Sequence, residues 1–116
     1  MIKAEEMEKR KEQMIEKASK EIARKCYELI EKKVNASFYE YAENDRISIE
    51  YAELDRCTKE IMESYEISCE KNPKLFEQIT ERAENKLQVL INKYGWKLDY
   101  TNNQSYILPK DKDVEE

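Results

Sequence analysis

No histidine occurs in this chain of 116 residues, glycine occurs once and proline twice. Without histidine there is no imidazole base titrating near neutral pH, no Ser/His or Cys/His nucleophile pair, and no nitrogen ligand of the kind zinc most often takes. A single glycine excludes the glycine-rich loops that cradle phosphates and dinucleotides. Long apolar runs are also missing: none approaches the roughly 20 residues of a bilayer-crossing helix, and the amino terminus lacks the apolar core of a signal peptide. Cys26, Cys57 and Cys69 are odd in number, lack C-x-x-C spacing, and each falls on an apolar helical stripe, as buried reduced thiols do. The expectation is a cytoplasmic protein that is not an enzyme, holds no cofactor or metal, and does not enter a membrane.

Charged residues make up 41 % of the chain and hydrophobic residues 40 %, a balance suited to long amphipathic helices around one core. At this length one domain buries roughly two thirds of its unfolded surface. The most legible stretch runs from Asn72 to Leu108. Asn72 is an N-cap residue type and Pro73 suits the first helical position, where its missing N–H costs nothing. Leu75, Phe76, Ile79, Ala83, Leu87, Leu90 and Ile91 then follow the spacing of one buried helical face. Gly95 supplies the left-handed residue that stops such a helix. Beyond it Trp96, Leu98 and Tyr100 alternate with Lys97 and Asp99 as a strand, Thr101 to Gln104 turn, and Tyr106 and Leu108 bring a second strand back to Pro109.

Upstream, Met1 to about Lys33 reads as one helix, with Ile15, Ala18, Ile22, Cys26 and Leu29 as its stripe and Ala23 and Ile30 beside it. Glu16 to Lys20, Glu21 to Lys25 and Glu28 to Lys32 are spaced for ion pairs along that helix. A helix of 30 residues is about 45 Å long, whereas a compact domain of this size spans about 35 Å, so residues 1–14 are expected to project as an extension. Val34 to Asp45 connects, either extended or as a short helical turn around Phe38 and Tyr41. Ile47, Ile49 and Tyr51 alternate as a first strand, and Leu54, Cys57, Ile61 and Tyr65 return to helical spacing until Asn72-Pro73. The expected fold is α+β: three helices on a small three-stranded, antiparallel or mixed sheet spanning residues 15–109, with 110–116 as a disordered charged tail.

Charge is unevenly spread. Residues 34–72 hold ten acidic and four basic side chains, a net of −6, out of −5 for the whole chain. Tyr39, Glu40, Tyr41, Glu43, Asp45, Glu50, Glu53 and Asp55 could present carboxylates and aromatic anchors, with Tyr51 among them, to a basic protein that itself handles nucleic acid. The bland reading of the same residues is a solvated face with tyrosines packed in the core. The carboxylate groups Glu50, Glu53, Asp55 and Glu77, Glu81, Glu84 likewise read as ordinary solvated helix faces rather than metal sites. No segment forms the basic footprint that DNA affinity demands.

Two resemblances add to this. From Ile15 to Leu108 the order helix, strand, helix, helix, strand, turn, strand resembles that of winged-helix DNA-binding domains. It implies that the third helix would read DNA through Lys74, Gln78, Arg82 and Asn85. The closing stretch, through Leu90, Tyr94, Gly95, Trp96, Leu98, Tyr106 and Ile107, resembles small uncharacterised phage and prophage proteins, as does Ile47 to Leu54. The chain departs from them between Arg56 and Asn72. The leading expectation is a phage-type interaction protein whose partner is a host protein, with inhibition of a host defence or nucleic-acid-processing protein in a bacterial cytoplasm as one form of that role. The alternatives are a winged-helix regulator and a self-associating structural protein that dimerises through its first helix.

Overall fold

In the computed structural model, which describes residues 1–101 and 104–112, one helix runs most of the length of the molecule. This is α1 (Ala4–Ala36), whose 33 residues reach about 50 Å at 1.5 Å each. The whole chain measures 61 × 27 × 24 Å, with a radius of gyration of 16.3 Å against about 13 Å for a compact domain of similar size. Residues 1–13 are all exposed, and burial begins at Ile15 and continues through Ala18, Ile22, Ala23, Cys26 and Ile30. The remaining elements are α2 (Phe38–Asn44), β1 (Ile47–Ile49), α3 (Tyr51–Ser64), α4 (Pro73–Asn92), β2 (Trp96–Thr101) and β3 (Gln104–Pro109), an α+β fold.

Both longer partners of α1 dock on it. Lys25 pairs with Glu60, the Tyr65 hydroxyl donates to Glu21 at 3.0 Å, and the Cys26 thiol faces the Leu54 carbonyl, so α3 runs antiparallel to α1. α4 runs parallel to it: Arg82 meets Glu12 and Glu16 near one end, and the rings of Tyr27 and Tyr94 lie 6.1 Å apart near the other. The buried face of α4 is Ile79, Ala83, Leu87 and Ile91, as the spacing predicts. Burying each such isoleucine or leucine contributes roughly 1.5–3 kcal/mol, more than any exposed ion pair, so the apolar seam sets the helix arrangement.

The sheet is antiparallel throughout, in the order β1-β3-β2. Leu98, Ile107 and Ile47 form one row across the three strands and are all buried against the helices. The second strand of the hairpin lies where the sequence places it and Leu108 is buried, but the residues facing the helices are Ser105 and Ile107, while Tyr106 lies on the opposite face with Arg46 over its ring at 4.2 Å. The reason is the hairpin itself, which pairs Thr101 with Gln104 and so places Leu98 opposite Ile107. Of the turn, Asn102 and Asn103 lie outside the described residues, as do residues 113–116 of the charged tail. Residues 110–112 follow β3 in a turn whose Lys110 amide donates to the Gly95 carbonyl at 2.9 Å.

Four local expectations are corrected. Val34 to Asp45 takes the helical of its two alternatives, as α2, so the described residues hold four helices rather than three. α3 stops at Ser64 rather than continuing to Asn72, because Glu66 adopts φ 58 and a Schellman motif closes there: Ile67 N–H donates to the Met62 carbonyl and Glu66 N–H to that of Glu63. Pro73 does begin α4, but the Asn72 side chain makes no cap and instead accepts from the Ser68 amide in the preceding loop. Glu16, Lys25 and Glu21 are bound across helices instead of along α1, and Glu28 pairs with Arg24. Gly95 has φ 83 after α4, the left-handed stop the sequence indicates.

Candidate functional site

The acidic segment spans three elements, and they treat its residues differently. On α2, Tyr41 is half-buried with its ring edge-on to Trp96 at 5.5 Å, so it is a packing residue. Glu40 is tied inward as well, its carboxylate accepting from the Ser48 amide of β1 at 2.6 Å. Tyr39 and Glu43, one turn apart, face solvent together, and Tyr39 is 81 % exposed. Phe38 stands beside them 68 % exposed, its ring T-shaped against Tyr39 at 5.5 Å. Tyr41 takes the inward face of this two-turn helix, and Phe38 and Tyr39 are left on the outside.

Asp45 ends α2 in a left-handed conformation and lies 3.7 Å from Lys112. Aspartate tolerates that conformation because its short polar side chain can satisfy nearby backbone. At the start of α3, Glu50 is exposed, Glu53 is half-buried in the first turn, and Asp55 pairs with Lys59 at 2.9 Å. Tyr51 is exposed and its ring meets that of Tyr100 edge-on at 6.4 Å. The eight candidate residues thus divide: Tyr39, Glu43, Asp45 and Glu50 remain outward, Glu53 and Asp55 are half-buried on α3, and Glu40 and Tyr41 hold the fold together.

The candidate DNA-reading residues of α4 have other neighbours. Lys74, Gln78 and Asn85 are exposed, but Arg82 is held by Glu12 and Glu16, and Lys86 by Glu16. Gln78, Arg82 and Asn85 line a groove shared with Glu8, Lys9 and Glu12 of α1. Mixed charge fills that groove, and its one arginine is already neutralised. The hydrogen bond from Lys86, reinforced by the charges of Lys86 and Arg82, holds the Glu16 carboxyl below the usual carboxylate range.

Among the thiols, all three are free, but only Cys26 is buried, and burial pushes its pKa up to about 12. Cys57 is half-buried and Cys69 is exposed in the loop between α3 and α4, because α3 ends before reaching it. Among the described residues no group of three or more Cys, Asp or Glu side chains is placed to hold a metal ion, and no helix is long and apolar enough to cross a membrane. Comparison of the chain with protein-family models, with curated proteins and with solved structures finds no match.

Proposed function

We propose that this chain is a non-enzymatic interaction protein that binds another protein through the acidic, aromatic surface of α2 and the start of α3. The observation that carries the reading is the Phe38–Tyr39 pair, two aromatic rings left in water beside Glu43 and Asp45. Aromatic side chains that dock into a partner's pocket release much apolar surface at small entropic cost, and are enriched among residues that dominate binding. The segment they sit in, residues 34–72, carries a net charge of −6, so a basic partner is the complementary class. Such a partner is a host nucleic-acid-processing or defence protein, which the phage-like closing stretch also suggests, and occlusion of its basic surface would inhibit it.

The test is capture of a partner from bacterial lysate by the full chain, repeated with Phe38→Ala/Tyr39→Ala and with Glu43→Lys/Asp45→Lys. Loss of one and the same protein in both variants supports the reading; equal retention by both defeats it. Fluorescence anisotropy with duplex DNA at low salt is the accompanying control. Salt-sensitive DNA binding that falls with Lys74→Ala would transfer the assignment to the winged-helix alternative. Light scattering showing a concentration-dependent dimer that dissociates when residues 1–13 are removed would transfer it to self-association through α1.

A further inference from the structure

α3 and α4 each lie against α1 but barely touch one another, and between them is a cleft of about 420 Å³. Its floor is apolar, built from Ile22, Ala23 and Cys26 of α1 with Leu54 and Leu87 on either side. Above that floor the polar groups carry one sign of charge. Asp55 enters from α3 and Glu84 from α4, and among the described residues no lysine or arginine lines the cleft. Asp55 shares its charge with Lys59, whereas Glu84 has no cationic partner among the described residues. The Tyr51 and Tyr100 rings stand together in the same lining, edge to face. Burial of the Tyr100 phenol, helped by the nearby Glu84 charge, lifts its pKa to about 12, so the hydroxyl stays protonated and Asp55 and Glu84 are the charged groups among the described lining residues.

We propose that this cleft receives an arginine side chain presented by the protein partner, an assignment that rests on the reading of the chain as a binder of a basic protein. An apolar floor suits the methylene stem of a long cationic side chain, whose head stays near the polar rim. Carboxylates on facing walls suit a flat guanidinium with donors along its edges, and a pair of phenol rings suits its face. Lysine, a compact point charge, uses the rings and the two-sided donor geometry less well. The cleft shares Tyr51 and Asp55 of the acidic segment at the start of α3, whereas no residue of α2 lines it, so α2 and the cleft are separate contacts for the same basic partner.

The experiment is a titration of the full-length ¹⁵N-labelled protein, followed by amide chemical shifts, with a blocked tripeptide Gly-Arg-Gly. Its citrulline analogue keeps the shape and removes the charge, and its lysine analogue keeps only the charge. Expected are saturable shifts at Tyr51, Asp55, Glu84 and Tyr100, weaker binding of the lysine peptide, and a loss of about tenfold or more with citrulline. Asp55→Asn/Glu84→Gln should lose the arginine response, and Glu84→Gln alone, on an exposed position of α4, gives the same direction if the double variant does not fold. Equal affinity for arginine and citrulline, shifts confined to α2, or no saturable shift in the cleft would overturn the assignment. A lysate partner that still depends on Phe38 and Tyr39 while the cleft ignores arginine would remove the cleft alone. Arginine binding in the cleft with a partner indifferent to α2 would remove the α2 reading and keep the cleft.

Discussion

The side-chain amide of Gln88 on α4 holds both backbone groups of Leu98 on β2: its Nε2 donates to the Leu98 carbonyl at 2.7 Å, and its Oε1 accepts from the Leu98 amide at 3.3 Å. β2 is an edge of the sheet, and Leu98 lies opposite Ile107 with its own N–H and C=O turned away from β3. Gln88 therefore does for the free edge what a neighbouring strand would do. Gln88→Ala should cost about 1–2 kcal/mol in urea denaturation, since two half-buried backbone groups lose their partners. It should also raise the tendency to associate, because an uncovered edge pairs with other chains. Unchanged stability and unchanged light scattering would show that water replaces the amide at no cost.

The register of the hairpin gives a second contrast. Ile107 is 0 % exposed between Leu98 and Ile47, whereas its neighbour Tyr106 is half-buried on the other face. Ile107→Ala should destabilise by about 2–5 kcal/mol, the range for emptying a buried aliphatic site. Tyr106→Ala should cost clearly less, and the order of the two denaturation midpoints checks it. A reversed order would mean the strand is paired one residue away.

At the end of α3, Glu66 holds φ 58 so that Ile67 can fold back on Met62, both of them buried. A side chain in the left-handed region costs roughly 1 kcal/mol, which glycine avoids. Glu66→Gly should raise stability by about 0.5–1 kcal/mol, less what glycine adds to the freedom of the unfolded chain. Glu66→Val should lower it, and thermal midpoints of the two variants measured together give the sign.

Glu16 predicts a pH dependence. Its carboxyl is depressed chiefly by the hydrogen bond from Lys86, so its stabilising contribution is present above the unfolded value of about 4.3 and is lost as pH falls through the lower folded value. Thermal melts of wild type and Glu16→Gln should differ at pH 7 and converge in acid once the pH has fallen below the lowered folded value. The difference should also shrink in high salt, since these groups are exposed to solvent. A gap that persisted into acid would place its origin in packing rather than in charge.

The candidate surface was only partly legible in the sequence. Composition marked the acidic, tyrosine-rich segment as one unit, but Tyr41 goes to Trp96 and Glu40 to the Ser48 amide, partners 55 and 8 residues away. Phe38, the most telling neighbour of Tyr39, read as part of a connection because two turns of helix are too few for a periodic stripe. Glu84 and Tyr100 of the cleft stand on different elements from Tyr51 and Asp55, and nothing local relates them.

What the sequence by itself determined was whatever a few consecutive residues encode. Pro73 starts α4 and Gly95 follows its end because φ restrictions act at single positions, and the buried faces of α1 and α4 follow from spacing alone. What only the tertiary structure decided was how those faces meet. Glu16 could pair with Lys20 along its own helix, yet it pairs with Lys86 and Arg82 because the apolar seam brings α4 alongside. The cleft between α3 and α4 has the same origin: it depends on the docking of surfaces distant in sequence, where burial of the core outweighs local preference.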